Sequence, residues 1–389
     1  ASGSIYLSGS TKSTSGIATT GAHQTTYGGT NDGFLVKFNS SGVRQWGTYY
    51  GGPGNDDVRS CAADASGNIY LAGFTSSTTG IATIGAHQTT YGGGTHDAFL
   101  VKFNSSGVRQ WGTYYGGLMD EYGLSCATDA SGNIYLAGRT QSDTGIATSG
   151  AHQTTHKKNT NSGDAFLVKF NSIGERLWGT YYGGLMDEYG LSCAADGSGN
   201  IFLSGLTLSS TIIATTGAHQ TTNGGSYDAF LVKFNSSGVR QWGTYYGGTG
   251  VDKGRSCATD ASGNIYLAGE TESKDRIATT NGHQTRKVVA SGQFNAFLVK
   301  FTTGTSNVGV TETKSEFIIY PNPTSKELRV KIEYNLIGSK FRILNTLGQE
   351  LKQGELTSTM SNIDVSKLPK GYYVLILGEG NHSYKFLVK

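Results

Sequence analysis

The chain has 389 residues and a mass of 41.1 kDa, a length that predicts two or three folding units rather than one continuous core. Glycine occurs 58 times and proline only 4 times, which excludes a collagen and a proline-rich disordered chain. The 31 basic and 28 acidic side chains nearly balance, so the basic excess of a nucleic-acid binder is absent. The longest apolar stretch, residues 372–377, is far below the ~20 residues of a membrane-spanning helix. No positive and then apolar run opens the chain, and we expect no secretory signal within it.

A repeat of about 65 residues organises the first 300 residues. Four Trp residues are separated by 65, 67 and 64 residues, and a Cys follows each Trp after 15 residues. A His keeps a similar spacing and occurs five times. One unit is therefore copied along the chain.

Each unit contains four strand-like runs, which we label A to D. In the second unit they are residues 59–64, 68–73, 97–103 and 108–115. Residues 98–101 are apolar at consecutive positions, which predicts a strand covered on both faces. The A-to-B and C-to-D links are short and rich in Asp, Asn, Ser and Gly, as in tight antiparallel hairpins. Each unit is thus predicted to be a four-stranded antiparallel meander.

Radial repetition of such sheets predicts an all-β fold, a β-propeller of four-stranded blades; a solenoid is the alternative. The small residues of run A suit the crowded axis, and run D, with its Trp and paired Tyr, is expected outermost. Runs B and C occur five times but A and D only four times. About five blades are therefore expected over residues 1–301, and the missing strand would come from residues 302–310 or from sequence upstream.

The repeat has a recognisable wording. It reads Asp-Ala-Ser-Gly-Asn-Ile-Tyr-Leu-Ala-Gly, then Gly-Ala-His-Gln-Thr and Asp-Ala-Phe-Leu-Val-Lys-Phe. This pattern resembles the SBBP β-propeller repeat family of bacterial surface proteins. The resemblance implies a scaffold and no particular chemistry.

The period ends before residue 311. Residues 302–316 are predicted to be a polar linker, and residues 317–389 a separate domain. From residue 317 short alternating strands are expected, at 328–334, 340–345, 372–377 and 384–388 among others. About seven strands in this length predict a small immunoglobulin-like β-sandwich.

This tail looks like the type A sorting domain of the type IX secretion system. The matching residues, in chain order, are Tyr320, Pro321, Asn322, Pro323, Gly348, Asp364, Gly371, Tyr373, Lys385 and Lys389. The resemblance implies a secreted or cell-surface cargo, exported across the outer membrane of a Gram-negative bacterium. Its implied partners are the translocon and its outer-membrane shuttle and sortase. The alternative is a generic immunoglobulin-like domain with no role in export.

Two sets of repeated residues are predicted to be structural. The repeat histidines are His23, His87, His152, His219 and His283. Equivalent positions on different blades lie too far apart to share one zinc ion, so we expect each His to hydrogen-bond within its blade, to the Asp that opens run C. The four cysteines occupy one position of run A, and we predict buried free thiols rather than disulfides.

An acid stands five residues before each Cys. These acids are Asp56, Glu121, Glu188 and Asp252. They are expected to form a ring at one mouth of the channel, where carboxylates could hold Ca²⁺ or another hard cation. The alternative is that they accept hydrogen bonds from loop amides or pair with a nearby Arg. No confident metal site, catalytic motif or cofactor site emerges.

The long B-to-C loop, residues 74–96 in the second unit, is the other candidate site. It starts at the end of the sheet where run D crosses to run A, and its sequence varies between units. A glycan or protein ligand is expected on this face. The leading hypothesis is a non-catalytic binding or adhesion scaffold. A carbohydrate-active enzyme with acids around the mouth, and a passive passenger of the export signal, are the alternatives.

Overall fold

The computed structural model describes residues 3–157, 162–287, 292–302, 317–332, 337–345, 349–377 and 382–389. The chain divides into two compact units, residues 1–306 and 307–389. In the described ranges, no helix has the length and apolar character needed to cross a membrane. The predicted linker falls almost wholly on residues 303–316, outside the described residues.

The first unit is built from strands of seven or eight residues, which follow the predicted runs closely. They are β1 (Ile5–Thr11), β2 (Asp32–Phe38), β3 (Arg44–Tyr50), β4 (Asp56–Ala63), β5 (Ile69–Thr75), β6 (Asp97–Phe103), β7 (Arg109–Tyr115), β8 (Glu121–Thr128), β9 (Ile134–Thr140), β10 (Asp164–Phe170), β11 (Arg176–Tyr182), β12 (Glu188–Ala195), β13 (Ile201–Thr207), β14 (Asp228–Phe234), β15 (Arg240–Tyr246), β16 (Asp252–Thr259), β17 (Ile265–Thr271) and β18 (Asn295–Phe301).

These strands form five antiparallel meanders, as predicted. The second, third and fourth sheets have four strands each, in the orders β4-β5-β6-β7, β8-β9-β10-β11 and β12-β13-β14-β15. The first sheet, β1-β2-β3, and the fifth sheet, β16-β17-β18, have three described strands. Such repeated sheets are consistent with the blades of a propeller. The predicted fifth D strand falls on residues that are almost all outside the described ranges.

The core lies between successive sheets. Leu100 of β6 and Tyr70 of β5 share an apolar cluster with Leu136 of β9 and Phe166 of β10, in the next sheet. At the inner edge, neighbouring A strands are joined directly, because the amide of Cys126 in β8 donates to the Ser60 hydroxyl of β4. Interior sheets are thus buried on both faces, as the consecutive apolar residues predict.

The long B-to-C segment does not project as a free loop. It runs along the outer strand of its own sheet, where the Thr83 amide donates to the Gly112 carbonyl and the Tyr114 amide donates to the Gln88 carbonyl. Gly112 permits this approach, since a Cβ there would lie 2.5 Å from the Ile81 carbonyl oxygen. The segment therefore covers the unpaired edge of strand D, which is otherwise a site for intermolecular pairing.

The second unit is a two-sheet sandwich, as predicted. Its strands are β19 (Phe317–Tyr320), β20 (Glu327–Ile332), β21 (Lys340–Leu344), β22 (Glu350–Glu355), β23 (Met360–Asp364), β24 (Gly371–Leu377) and β25 (His382–Val388). One sheet has the order β19-β20-β23 and the other β22-β21-β24-β25. Leu328 and Val330 from the first sheet share one buried core with Ile343, Leu375 and Phe386 from the second.

Candidate functional site

The four acids that open the A strands do not form an exposed ring. Asp56, Glu121, Glu188 and Asp252 are all fully buried. Each lies at a separate junction, which is the crossover from one sheet to the next. We number the junctions in chain order, so the first connects β3 to β4 and the fourth connects β15 to β16. None of these four carboxylates is open to solvent, because the crossover and the B-to-C segment close over each acid. Their predicted arrangement as a ring around a channel stays a prediction.

Hydrogen bonds at the second junction show what holds such an acid. Glu121 Oε1 accepts from the Thr140 hydroxyl at 2.6 Å, and Oε2 accepts from the Gly117 amide at 2.8 Å. At the first junction, Asp56 likewise accepts from the Gly52 amide and from the hydroxyls of Thr75 and Ser77. Loop amides and hydroxyls therefore donate the hydrogen bonds to these acids. The alternative interpretation from the sequence included hydrogen bonds from loop amides.

A second acid, the Asp that opens strand C, lies beside each of these four. At the second junction it is Asp97, whose Oδ2 accepts from the Gly92 amide at 2.6 Å and from Gln88 Nε2 at 3.2 Å. The donor is therefore the Gln that follows the repeat His. The predicted hydrogen bond from His to this Asp is wrong in these repeats, and Asp32 and Asp228 are likewise bonded by Gln24 and Gln220.

Each pair of acids converges on one glycine. A Cβ built on Gly116 would lie 2.5 Å from Glu121 Oε2 and 2.9 Å from Asp97 Oδ1. The distance between Glu121 Oε2 and Asp97 Oδ1 therefore cannot exceed the sum of these two distances. The other pairs are Asp32 with Asp56 at Gly51, Asp164 with Glu188 at Gly183, and Asp228 with Asp252 at Gly247. Glycine is required there because a methyl group would collide with both carboxyls.

Burial changes the acidity of these groups. It raises the pKa of Glu121 to about 7 and that of Asp97 to about 6. At the third junction, burial raises the pKa of Asp164 to about 8 and that of Glu188 to about 7. Repulsion between the members of a pair acts in the same direction. The sequence identified all eight acids as candidates but did not show that they lie in pairs. The Gly-Gly dipeptide at the start of each crossover is the feature from which a close approach of two side chains could have been predicted.

The repeat histidines lie against aromatic rings. The His23 ring is 5.6 Å from Phe103 of the next sheet and 6.3 Å from Tyr50, between ring centroids. Burial, and then the charge of Arg109, lower the pKa of His23 to about 4. His87 and His152 repeat this arrangement, His219 packs on Tyr246, and His283 is exposed. These contacts favour packing, and a structural role for the histidines stays a prediction.

The cysteines are free thiols, as predicted. Cys126, Cys193 and Cys257 are buried, and Cys61 is half-buried. Burial raises the pKa of the Cys126 thiol to about 12, which keeps it protonated and unreactive at neutral pH. Within the described part of the chain, no group of three or more His, Cys, Asp or Glu side chains could hold a metal ion.

The crossovers expose apolar side chains at two adjacent junctions. Leu118 and Met119 connect β7 to β8, and Leu185 and Met186 occupy the same positions between β11 and β12. All four side chains are exposed, Leu118 at 74%. The first and fourth crossovers have Pro53-Gly54 and Thr249-Gly250 instead. We call Leu118, Met119, Leu185 and Met186 the Leu-Met surface. The sequence analysis did not predict it.

The variable part of the B-to-C segment lies beside this surface. The Thr95 amide and hydroxyl both donate to Asp120, the residue after Met119, at 2.6 and 2.9 Å. The variable residues therefore border the crossovers, on the predicted face. The third unit has a different contact here, because His156 replaces Tyr91 and its ring stacks on Tyr181.

The predicted sorting residues of the second unit are brought together in part. The Asn322 side chain accepts from the Leu387 amide, and the Lys389 amide donates to the Thr324 carbonyl, so the first and last segments pair. Tyr320 is exposed, and Pro321 and Pro323 border the same shallow depression. Tyr373 is buried, with its hydroxyl donating to the Pro369 carbonyl at 2.6 Å.

The remaining sorting residues lie elsewhere or are not described. Asp364 ends β23 and accepts from the Ser366 amide, and Gly371 opens β24. Hydrogen bonds from Ser366, and then the charges of nearby lysines, lower the pKa of Asp364. Gly348 and the side chain of Lys385 lie outside the described residues.

Family models match both units. The model of the secretion system C-terminal sorting domain matches residues 318–389. The model of the SBBP beta-propeller repeat matches residues 45–80 and 241–275. Both expected resemblances are confirmed. The chain carries SBBP propeller repeats and a sorting domain of the type IX secretion system.

Individual relatives are distant. The uncharacterized WD repeat-containing protein L264 of Acanthamoeba polyphaga mimivirus is 22% identical over 294 residues, which are 69% of this chain and 20% of that protein. Regulatory protein FlaEY of Caulobacter vibrioides is 23% identical over 243 residues, 62% of this chain and 24% of that protein. The chain thus spans about a fifth to a quarter of these relatives.

One of the solved structures that this chain matches is PorZ. It is described as an essential bacterial surface component of the type-IX secretion system of Porphyromonas gingivalis. Identity is 14%, coverage is 92% of this chain and 50% of that chain, and the TM-score is 0.28. The sorting domain, not this likeness, identifies the chain as a cargo of that system, which is exported across the outer membrane of Gram-negative bacteria.

Proposed function

We propose that the first unit is a non-catalytic scaffold that binds a partner at the bacterial surface through the crossover end of its sheets. The Leu-Met surface carries this proposal. Four apolar side chains are exposed at equivalent positions of two adjacent junctions, and apolar groups on a polar rim are typical of protein-binding sites. The varied residues that border them would give selectivity.

The second unit is proposed to direct export of the protein. As a secretion sorting domain, it is proposed to engage the translocon, the outer-membrane shuttle and the sortase. The first and last segments are joined at Thr324 and Lys389, and Tyr320 is exposed, which offers a side chain for such recognition. Deleting residues 320–389 should abolish surface delivery, and unchanged delivery would reject this part of the proposal.

Burial of the paired acids supports a role without catalysis. A glycosidase needs two carboxyls in a site that the sugar can enter. The eight junction acids of the first unit are fully buried, so none can reach a glycosidic bond in this conformation. A glycan remains a candidate ligand, since binding does not need an accessible acid pair.

A screen of glycans and surface proteins with the first unit, followed by a double variant, tests the binding surface. Leu118→Ser with Met119→Ser should weaken binding at least tenfold, because central apolar anchors carry most interface energy. Val108→Ser is the matched control: Val108 is 56% exposed but lies at the C-to-D turn, the opposite end of the sheet. Equal effects of both changes, or no ligand in the screen, would contradict the proposal.

A further inference from the structure

The paired acids at the junctions pose an electrostatic problem. Asp97 and Glu121 are both fully buried, and a Cβ on Gly116 would be within 3 Å of an oxygen from each. Ion pairs between described residues involve neither of them. Two buried carboxylates without a counter-charge repel each other and lose hydration. Some positive species must therefore accompany the pair.

The hydrogen bonds identify what is missing. Asp97 Oδ2 accepts two hydrogen bonds, and both oxygens of Glu121 accept at least one. Asp97 Oδ1 is buried and accepts no hydrogen bond of normal geometry, although it faces the glycine against which Glu121 packs. A weaker contact from the Gly93 amide acts to lower the pKa of this carboxyl. Asp97 Oδ1 therefore lacks a donor of normal geometry, and a buried unpaired oxygen costs free energy.

A buried carboxylate oxygen without a donor also occurs at other junctions. Asp164 Oδ1 and Asp228 Oδ1 are also buried without a hydrogen-bond partner. Each faces the glycine that its paired acid also contacts. The first junction differs, because Asp32 Oδ1 accepts from the Gly29 amide at 3.0 Å. The third junction differs too, because the His156 ring nitrogen Nε2 lies 3.7 Å from Asp164 Oδ1. The orphan oxygen without such a neighbour thus occurs in the second and fourth junctions.

We infer that the second and fourth junctions are proton-binding sites, in which Asp97 and Asp228 hold a proton on Oδ1 and share it with the paired acid. One proton supplies the missing donor and removes one of the two charges. No bond other than the O–H bond is made or broken. The neutral Asp still accepts through Oδ2, so its hydrogen bonds to the Gln side chain or loop amides remain.

The surroundings of the second junction support a retained proton. The charged or titratable groups around the pair include Asp120, His96, Tyr91, Tyr114, Tyr115, Tyr122 and Tyr181. Burial, and then the charges of Asp97, Asp120 and Glu121, raise the pKa of Tyr91 to about 12. Hydrogen bonds from Thr95 lower the pKa of Asp120, which therefore stays ionised. Its negative charge favours protonation of Asp97.

The sign of the pH dependence follows. The pKa values of Asp97 and Glu121 are raised to about 6 and about 7, above the ~4 of an unfolded carboxyl. The stabilisation is fully present below pH ~4 and is lost as the pH rises through 6 to 7. The buried repeat histidines act oppositely, since the pKa of His87 is lowered to about 4. A difference between two variants is therefore needed to isolate the junction proton.

Asp97→Asn is the decisive variant, used in the full chain. The amide oxygen keeps the bonds of Oδ2, and the NH₂ group donates where the proton was. All four Trp residues lie in the first unit, so their fluorescence in urea reports its unfolding alone. D97N should match the wild type near pH 4. The folding constant of D97N divided by that of the wild type should then rise by up to tenfold per pH unit between about pH 4 and 6, and level off above about pH 7.

Asp32→Asn is the matched control. Both oxygens of Asp32 already accept from amides, so the new NH₂ group meets a donor, and D32N should be less stable than the wild type at pH 5 and at pH 8. If D97N is equally destabilised at pH 5 and pH 8, Asp97 is an ionised acceptor and the inference fails. If millimolar Ca²⁺ raises the wild-type midpoint and EDTA lowers it, a cation holds the pair and the inference also fails.

An infrared measurement on the wild type keeps the test independent of variant folding. A protonated carboxyl has a carbonyl band distinct from that of a carboxylate. This band should be present in the folded protein at pH 5, become much weaker on unfolding in urea, and be weaker in D97N. Its absence from the folded wild type would overturn the inference.

Discussion

Interior and terminal sheets of the first unit contain the same residues in different surroundings. Ile69 and Leu71 of β5 are fully buried, whereas their equivalents Ile5 and Leu7 of β1 are each 53% exposed. Leu100 of β6 is fully buried, and its equivalent Leu298 of β18 is 72% exposed. The strand sequence therefore does not decide burial. A neighbouring sheet on each face does, so most of the stability of a repeat resides in its interfaces.

The largest predicted effect tests this comparison directly. Leu100→Ala removes a side chain that is packed on both sides, and we expect a loss of about 2–5 kcal/mol in the free energy of unfolding. Leu298→Ala removes the same atoms from an exposed face, and less than about 1 kcal/mol is expected. Urea unfolding followed by Trp fluorescence measures both. Similar losses would show that a terminal face is covered in solution.

The second prediction concerns the polar layer. Gln88 bonds the Asp97 carboxyl, the Thr90 carbonyl and the Gly116 amide. Gln88→Ala leaves buried groups unpaired, which should cost about 1–3 kcal/mol. In the fifth unit the Gln284 side chain bonds the exposed Arg286 carbonyl, and Gln284→Ala should cost about 0.5 kcal/mol or less. Equal costs would mean that the Asp97 bond contributes little.

The sequence predicts the strands well because each depends on local chemistry. Apolar runs such as residues 98–101 and turns such as Asn104 to Gly107 specify a hairpin with no information from distant residues. The bounds of β6, Asp97–Phe103, coincide with those expected from the pattern. The sorting domain was equally predictable, because its motifs are short and occur in a fixed order.

The site was less predictable because it joins residues from neighbouring repeats. Asp97 and Glu121 lie 24 positions apart, and nothing in their spacing shows that a crossover brings them together at Gly116. The path of the B-to-C segment was missed for a similar reason, since its hydrogen bonds to strand D involve backbone atoms, which every residue type offers. Exposure of Leu118 depends on packing around the crossover, which no pattern encodes.

The smallest predicted effect compares two Trp residues that each donate a hydrogen bond to the next sheet. Trp111 Nε1 donates to the Ser172 carbonyl of the next sheet at 3.2 Å, and Trp46 Nε1 donates likewise to Ser105. Trp111 is 9% exposed, whereas Trp46 is only half-buried, in the first sheet. Water can replace the donor where the ring is open to solvent, so Trp46→Phe should cost less than Trp111→Phe, for which we expect about 0.5–1.5 kcal/mol from the lost bond.

Both changes also remove part of a ring, and the difference between them isolates the effect of burial. Thermal unfolding followed by far-ultraviolet circular dichroism is the suitable measurement, since each variant loses one of the four Trp residues. A larger loss for Trp46→Phe would contradict the comparison of interior and terminal sheets. It would indicate that the first sheet, despite its exposed Ile5 and Leu7, depends on this one link to the second sheet more than the interior sheets depend on theirs.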